Sequence, residues 1–197
     1  MAMNENHAKV CTSPEWADYI QATVLPAVTR DVDLGDRMLE IGPGPGAATE
    51  WLRSRVTGLT AIEVDEAAAA LLADRYAGSN VEIVTGSAGA LSYPADSFDS
   101  VGCFTMLHHV PTLALQNKLL AEALRVLRPG GVLLGSDSLP SNGLHHFHAD
   151  DIYNPIDPAS LISRLQTVGF AAMTVTVGDV LMFTAVKPAS PDEKGCT

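Results

Sequence analysis

The chain has 197 residues, 47% hydrophobic and 18% charged, which fits one ordinary domain with a sizeable core rather than a disordered chain. Twelve Lys and Arg against 23 Asp and Glu leave a net charge of −11, which argues against gripping a phosphate backbone or lying on an anionic membrane. The longest wholly apolar run, Ala67 to Ala73, cannot span a bilayer, MAMNENHAKV lacks the apolar core of a secretory signal, and the scattered Cys11, Cys103 and Cys196 encode neither a disulfide framework nor a zinc ribbon.

A cytoplasmic protein without nucleic-acid or membrane partners is therefore expected. Residues 1–187 read as a single domain, with a loose polar stretch over residues 1–10 and a disordered tail over 188–197. Thr12-Ser13-Pro14-Glu15 joins a capping residue to a proline suited to a first turn. Trp16, Tyr19, Ile20, Thr23, Val24 and Ala27 continue at helical spacing, so a helix is expected over about 13–28, bent or ended by Pro26. A strand at Met38–Ile41 runs into a Gly-rich turn and then a helix from about Ala47 to Arg55. Leu59–Val64 is a second strand, and Asp65 caps a helix that Gly78 closes. Further strands are expected at Val81–Thr85 and Asp99–Phe104. An amphipathic helix over Leu113–Leu127 is stopped by Pro129-Gly130-Gly131, and Val132–Ser136 is a fifth strand. Asp157-Pro158 opens a helix that carries Leu161, Ile162, Leu165 and Val168 on one face and ends at Gly169. Met173–Val177 and Leu181–Val186, joined at Gly178-Asp179, read as an antiparallel hairpin. Five βα units and a hairpin predict an α/β fold with a mostly parallel seven-stranded sheet, an antiparallel C-terminal hairpin and helices on both faces. Such sheets bind ligands beyond the carboxyl ends of their strands, where the strand order reverses.

The first strand leads into Glu40-Ile41-Gly42-Pro43-Gly44-Pro45-Gly46-Ala47. A turn so poor in side chains lets a ligand approach the backbone. Gly42, Gly44 and Ala47 satisfy the looser dinucleotide fingerprint, with Glu63 at the next strand end suited to a ribose diol. The turn alone leaves the ligand open. No Tyr is followed by Lys four residues later, so the catalytic pair of short-chain dehydrogenases is absent, and a second domain has no room.

Successive blocks resemble class I S-adenosylmethionine (SAM) methyltransferases, in the family's order. MLEIGPGPGAAT (38–49) resembles its first motif, and AIEVDE (61–66) resembles the acidic end of its second strand. VTGSAGALSYPADSFDSVGCFTMLHHV (84–110) and EALRVLRPGG (122–131) are similar to the stretches that flank its fourth strand and precede its fifth. The likeness is to the small-molecule branch related to ubiquinone biosynthesis and implies a Rossmann-like sheet, SAM as cofactor and a small-molecule methyl acceptor at O, N or C. It implies that the backbone of Gly42, Gly44 and Gly46 faces the methionine part of SAM. Glu40 would help hold the ammonium, Glu63 would accept from the ribose hydroxyls, and Thr105 would border the methionine moiety. Where the family has Asp after the glycine of strand three, this chain has Gly86-Ser87-Ala88, so Ser87 with Ala88 would meet adenine through a hydroxyl rather than a carboxylate. The alternatives are a nucleotide- or NAD-binding oxidoreductase and a non-catalytic SAM-binding regulatory protein.

Methyl transfer from a sulfonium needs a base only if the acceptor must lose a proton. His108 follows strand four and is the candidate base. His109 beside it is a candidate acceptor contact, as are Trp16 and Tyr19 on a possible N-terminal lid and His145, His146 and His148 in the stretch Leu139–Ile156, read as a loop. Both histidine groups are expected to face one cleft. The loop histidines, with Asp150 and Asp151, have no set tetrahedral spacing, so no metal is expected. Cys103, inside an apolar strand, reads as a buried small hydrophobe. Monomer and homodimer are both compatible with the sequence.

Overall fold

The computed structural model of the chain describes residues 4–189. Its strands are β1 (Arg37–Ile41), β2 (Gly58–Glu63), β3 (Val81–Thr85), β4 (Phe98–Phe104), β5 (Leu127–Asp137), β6 (Ala171–Val177) and β7 (Leu181–Val186). They form one sheet in the order β3-β2-β1-β4-β5-β7-β6. β1 to β5 run parallel, and β7 lies antiparallel to both β5 and β6. The helices are α1 (Glu5–Cys11), α2 (Pro14–Tyr19), α3 (Leu25–Val28), α4 (Ala47–Leu52), α5 (Glu66–Arg75), α6 (Leu113–Val126), α7 (Asn142–Phe147) and α8 (Pro158–Val168). The expected mostly parallel sheet with a C-terminal hairpin and helices on both faces is the observed one.

Central strands are buried on both faces, so they read as near-continuous apolar runs. Period-two alternation then assigns each side chain to a layer. Leu39 and Ile41 of β1 join one core with Leu119 and Leu120 of α6 and Leu161 and Leu165 of α8. Met38 joins the other with Ile20, with Leu25 of α3 and with Leu52 of α4. Side-chain caps set the helix starts: Asp65 accepts from Ala68 N, Thr112 from Leu115 N, and Asp157 from Ala159 N ahead of Pro158. Gly169, at φ 117°, closes α8 in the left-handed conformation. No helix among the described residues is long and apolar enough to cross a membrane.

Several local expectations are corrected. Of the two outcomes expected of Pro26, bending or ending the helix, ending is not seen: helical turns run over 14–28 as expected, and the chain passes from α2 into α3 through a π-helical stretch, Ile20–Val24. There Leu25 N–H bonds Ile20 O, one residue wider than an α-turn, which makes room around a proline that has no N–H to place. Residues 5–11, expected to be loose, form α1, and 142–147 of the expected loop form α7. β5 starts at Leu127 rather than after Gly131, with Gly130 at φ 78° and a register shift opposite Phe98 to Ser100 absorbing the glycines. Between β3 and β4, residues 86–97 contain turns and no helix, consistent with Gly86, Gly89 and Pro94. From residue 190 onward the expected tail lies outside the described residues, as does Cys196.

Candidate active site

The strand order reverses between β1 and β4, and the glycine turn and Thr105 follow the carboxyl ends of these two neighbours. All three glycines of the turn have positive φ: 67° at Gly42, 52° at Gly44 and 89° at Gly46. Their surroundings differ. A Cβ on Gly42 would meet the Met106 side chain at 3.0–3.2 Å, and one on Gly46 would meet Leu72 at 3.0 Å and the Tyr76 hydroxyl at 3.2 Å. A Cβ on Gly44 would meet nothing within 4 Å. Packing therefore accounts for two of the glycines, while the third borders open space.

Two buried carboxylates flank this turn. Glu63 ends β2; its Oε2 accepts from Gly44 N at 3.2 Å, and its Oε1 accepts from Val64 N at 2.8 Å and Asp65 N at 3.0 Å. Three of the roughly four acceptor positions of a carboxylate are thus engaged, so a ribose diol would share Oε2 with the turn it faces. Glu40, on β1, is 1% exposed and accepts from the Thr49 hydroxyl at 2.7 Å. Burial, with the nearby Glu63 adding to it, pushes its pKa up to about 7 against the opposing effect of the Thr49 bond. A cation beside Glu40 would favour its ionised form.

Ser87 is exposed, and its Oγ accepts from Gly89 N at 3.3 Å, while Ala88 packs against the first core. Thr105 has φ 52°, a left-handed conformation that is costly for a β-branched residue and is held here by Thr105 N donating to Ser136 O at 2.7 Å and its hydroxyl donating to Phe104 O at 2.8 Å. Cys103 is fully buried, and burial pushes its thiol pKa up, as suits a small hydrophobe.

On the acceptor side, a 3-10 turn (Leu107–His109) carries both histidines. His108 is 3% exposed, and its Nδ1 lies 2.5 Å from Oδ1 of Asp137, the last residue of β5. Asp137 is fully buried and also accepts from His108 N at 3.2 Å and Ser138 N at 2.8 Å. This arrangement fixes the imidazole and leaves Nε2 for chemistry. His109 stacks on His7 at 4.9 Å between ring centroids and lies 4.0 Å from His108 and 5.3 Å from His148. Burial first, then the neighbouring His108 and His7, pushes the His109 pKa down to about 3, while burial likewise lowers that of His148.

The structure divides the predicted acceptor contacts. His148, at the C-terminal cap of α7, is buried with His108 and lies beside the half-buried His109, whereas His145 and His146 are exposed on the helix. Trp16 and Tyr19 pair at 5.9 Å and pack against the second core. Sequence reasoning missed His7, Asp137 and Tyr153, and weighed Asp151 only beside its neighbours in the 145–151 segment and not as the partner of His7. Asp137 carried a legible signal, an acidic residue ending the strand beside β4. His7 and Asp151 carried none, since 144 residues separate the two ends of their 2.8 Å contact.

A methyltransferase-domain family model matches residues 39–135, which spans β1 to β5 and both carboxylates. A phthiotriol/phenolphthiotriol dimycocerosates methyltransferase of Mycobacterium ulcerans is 32% identical over 62% of this chain and 45% of its own length. A ubiquinone biosynthesis O-methyltransferase of Pseudomonas fluorescens is 35% identical over 49% of this chain and 42% of its own. The chain spans about half the length of the curated relatives it matches. A SAM-dependent methyltransferase structure from Aquifex aeolicus superposes with a TM-score of 0.73 at 16% identity, covering 94% of this chain and 100% of that one. With the glycine turn, the acidic strand ends and the 3-2-1-4-5-7-6 sheet on one chain, residues 39–135 make this a chain with a methyltransferase domain on the fold of SAM-dependent methyltransferases.

Proposed function

We propose that the chain is a methyltransferase that uses SAM to methylate O, N or C of a small molecule. The observation that carries this reading is the open space at Gly44, at the reversal of strand order and between two buried carboxylates. Glycines 42, 44 and 46 would present backbone to the cofactor, Glu40 would hold its ammonium, Glu63 its ribose hydroxyls, and Ser87 with Ala88 its adenine. Bound there, SAM supplies an activated methyl group on a sulfonium.

The chain's own residues supply position and proton handling. Thr105, in its strained conformation, fixes how the chain leaves β4 beside the glycine turn; holding methyl donor and acceptor in line, which the site as a whole would do, is worth ~7–11 kcal/mol in favourable systems. His108, with Nδ1 held by Asp137, would take a proton at Nε2 from an acceptor hydroxyl or amine, and Asp137 would stabilise the imidazolium formed. A small acceptor in the cytoplasm suits a chain too acidic for nucleic-acid or membrane surfaces.

The deciding experiment incubates the protein with methyl-labelled SAM and fractionated metabolites, and binds S-adenosylhomocysteine (SAH) and NADH in parallel. Labelled product together with SAH binding is expected. Tight NADH binding without SAH binding would overturn the assignment, and SAH binding without any labelled product would point to a protein that holds the cofactor but does not turn over.

A further inference from the structure

Three histidines distant in sequence meet on the acceptor side: His7 of α1, His109 after β4 and His148 at the end of α7. One ring nitrogen of each lies within 4.8 Å of the others. His7 and His148 are 3% and 4% exposed and His109 is half-buried, so the cluster lies at the edge of the interior with one ring open to solvent.

The hydrogen bonds around it dictate which nitrogen is available. His109 Nδ1 lies 3.2 Å from Ile152 O, and His148 Nδ1 lies 2.7 Å from Leu144 O. A carbonyl only accepts, so each of these nitrogens carries the proton and each Nε2 is a bare lone pair. His7 Nδ1 lies 2.8 Å from Asp151 Oδ2, which places its proton in the same way. His148 Nε2 is buried with no hydrogen-bond partner. Three electron-pair donors therefore sit close together with no N–H to share among them. Each outer nitrogen is meanwhile anchored by a carboxylate or a carbonyl, the arrangement that orients metal-bound imidazoles. Phe147, 5.0 Å from the His7 ring, and Tyr153, stacked 4.6 Å from His148, close the surroundings.

We propose that His7, His109 and His148 form a three-imidazole binding site for a zinc-class divalent cation, which ties α1 to the acceptor side of the fold. Neutral imidazoles at this number suit zinc, with one position left open. Tetrahedral coordination at about 2.0–2.1 Å sets ligand nitrogens about 3.3 Å apart, so from separations of at most 4.8 Å each nitrogen needs to move inward by no more than about 0.9 Å. The site departs from the sequence reading, which expected no metal and weighed only the 145–151 segment. None of its ligands is assigned to SAM, and the metal readout does not depend on methyl transfer, although His109 and His148 are also the candidate acceptor contacts.

The test uses the full untagged chain, stripped with a chelator and titrated with Co(II) and then Zn(II), reading visible cobalt absorption and bound metal per chain. One equivalent of cobalt with the intense bands of a tetrahedral site, displaced by zinc, is the expected result. His109→Asn and His148→Ala are each expected to abolish that signal while their metal-free circular dichroism matches the parent. Asp151→Asn is expected to weaken binding about 10- to 100-fold through loss of the His7 anchor. A His145→Ala/His146→Ala double variant, altered only in the exposed histidines of α7, is expected to bind as the parent does. Uptake well below one equivalent by the parent overturns the proposal. So does undiminished uptake by a folded His109→Asn or His148→Ala variant, or loss of uptake in the double variant.

Discussion

Replacing Glu40 with Gln isolates the cost of a buried carboxylate beside the glycine turn, where we propose that the cofactor binds. Glu40 titrates near 7 in the folded protein against an ordinary 4.5, with burial as the main cause. Since the folded state holds the proton more tightly, stability is fully present below pH 4.5 and is lost as pH rises through about 7. Converting the shift of about 2.5 pH units at 1.36 kcal/mol each sets a ceiling of about 3 kcal/mol on the loss. Urea unfolding of parent and variant at pH 5, 6, 7 and 8 measures it. The parent also carries the general self-repulsion of an acidic chain, which the variant shares, so the difference between the two curves reports Glu40 alone. That difference is expected to grow by up to about 2.5 kcal/mol between pH 5 and 8, the first part of the loss having occurred below pH 5. SAH affinity of the parent is expected to rise several-fold from pH 6 to 7.5 as Glu40 ionises to meet an ammonium, and to stay flat in Glu40→Gln. Parallel unfolding curves would refute the burial argument, and a pH-independent parent affinity would refute the ammonium assignment.

Gly44→Ala is expected to cost only about 1 kcal/mol of stability, from its positive φ, yet to weaken SAH binding by roughly tenfold or more by filling the open space. Gly42→Ala, which collides with Met106, is expected to lower the melting temperature further; thermal shift and calorimetric titration separate the two. Thr105→Gly is expected to be more stable than Thr105→Ala by about 1 kcal/mol, because only glycine relieves the left-handed conformation, as denaturant melts will show. Asp151→Ala removes the acceptor of Asn4 N at 2.6 Å and of Asn4 Nδ2 at 3.1 Å, along with the His7 contact. Amide exchange over 5–11 is expected to speed up by the equivalent of about 1–3 kcal/mol of lost protection, with the sheet unchanged. Asp137→Asn is expected to cut turnover by roughly 10²–10⁴ with SAH affinity intact, as for loss of an oriented base; steady-state rates with the identified acceptor check it.

The sheet and the glycine turn were legible because their causes are local. Val, Ile and Leu runs mark covered strands, Asp65, Thr112 and Asp157 cap at their own helix starts, and the glycine turn advertises a close backbone approach within a few residues. The acceptor side was not legible because its causes are distant. α1 is held by Asn4 and His7 meeting Asp151, a partner that no window along the chain can see. α7 lacks an apolar stripe, and its Ser141 cap, accepting from Leu144 N at 3.1 Å, was the one local hint. The π-helical stretch was hidden for the opposite reason. Pro26 is a strong local signal to stop, and burial of Ile20, Val24, Leu25 and Val28 against the second core overrode it.

The place of β7 in the sheet bears on how the protein is made. This last strand sits between β5 and β6, with Leu181, Phe183 and Ala185 at 0–1% exposure. Until residues 181–186 have left the ribosome, β5 presents an apolar open edge, and the core beneath it lacks a wall. A released chain that stops anywhere from Ser138 to Val180 therefore carries an adhesive strand with nothing to pair with except another copy. Trimming that removes residues 181–186 is thus expected to lower the yield of native protein more than a change of equal length at the amino end.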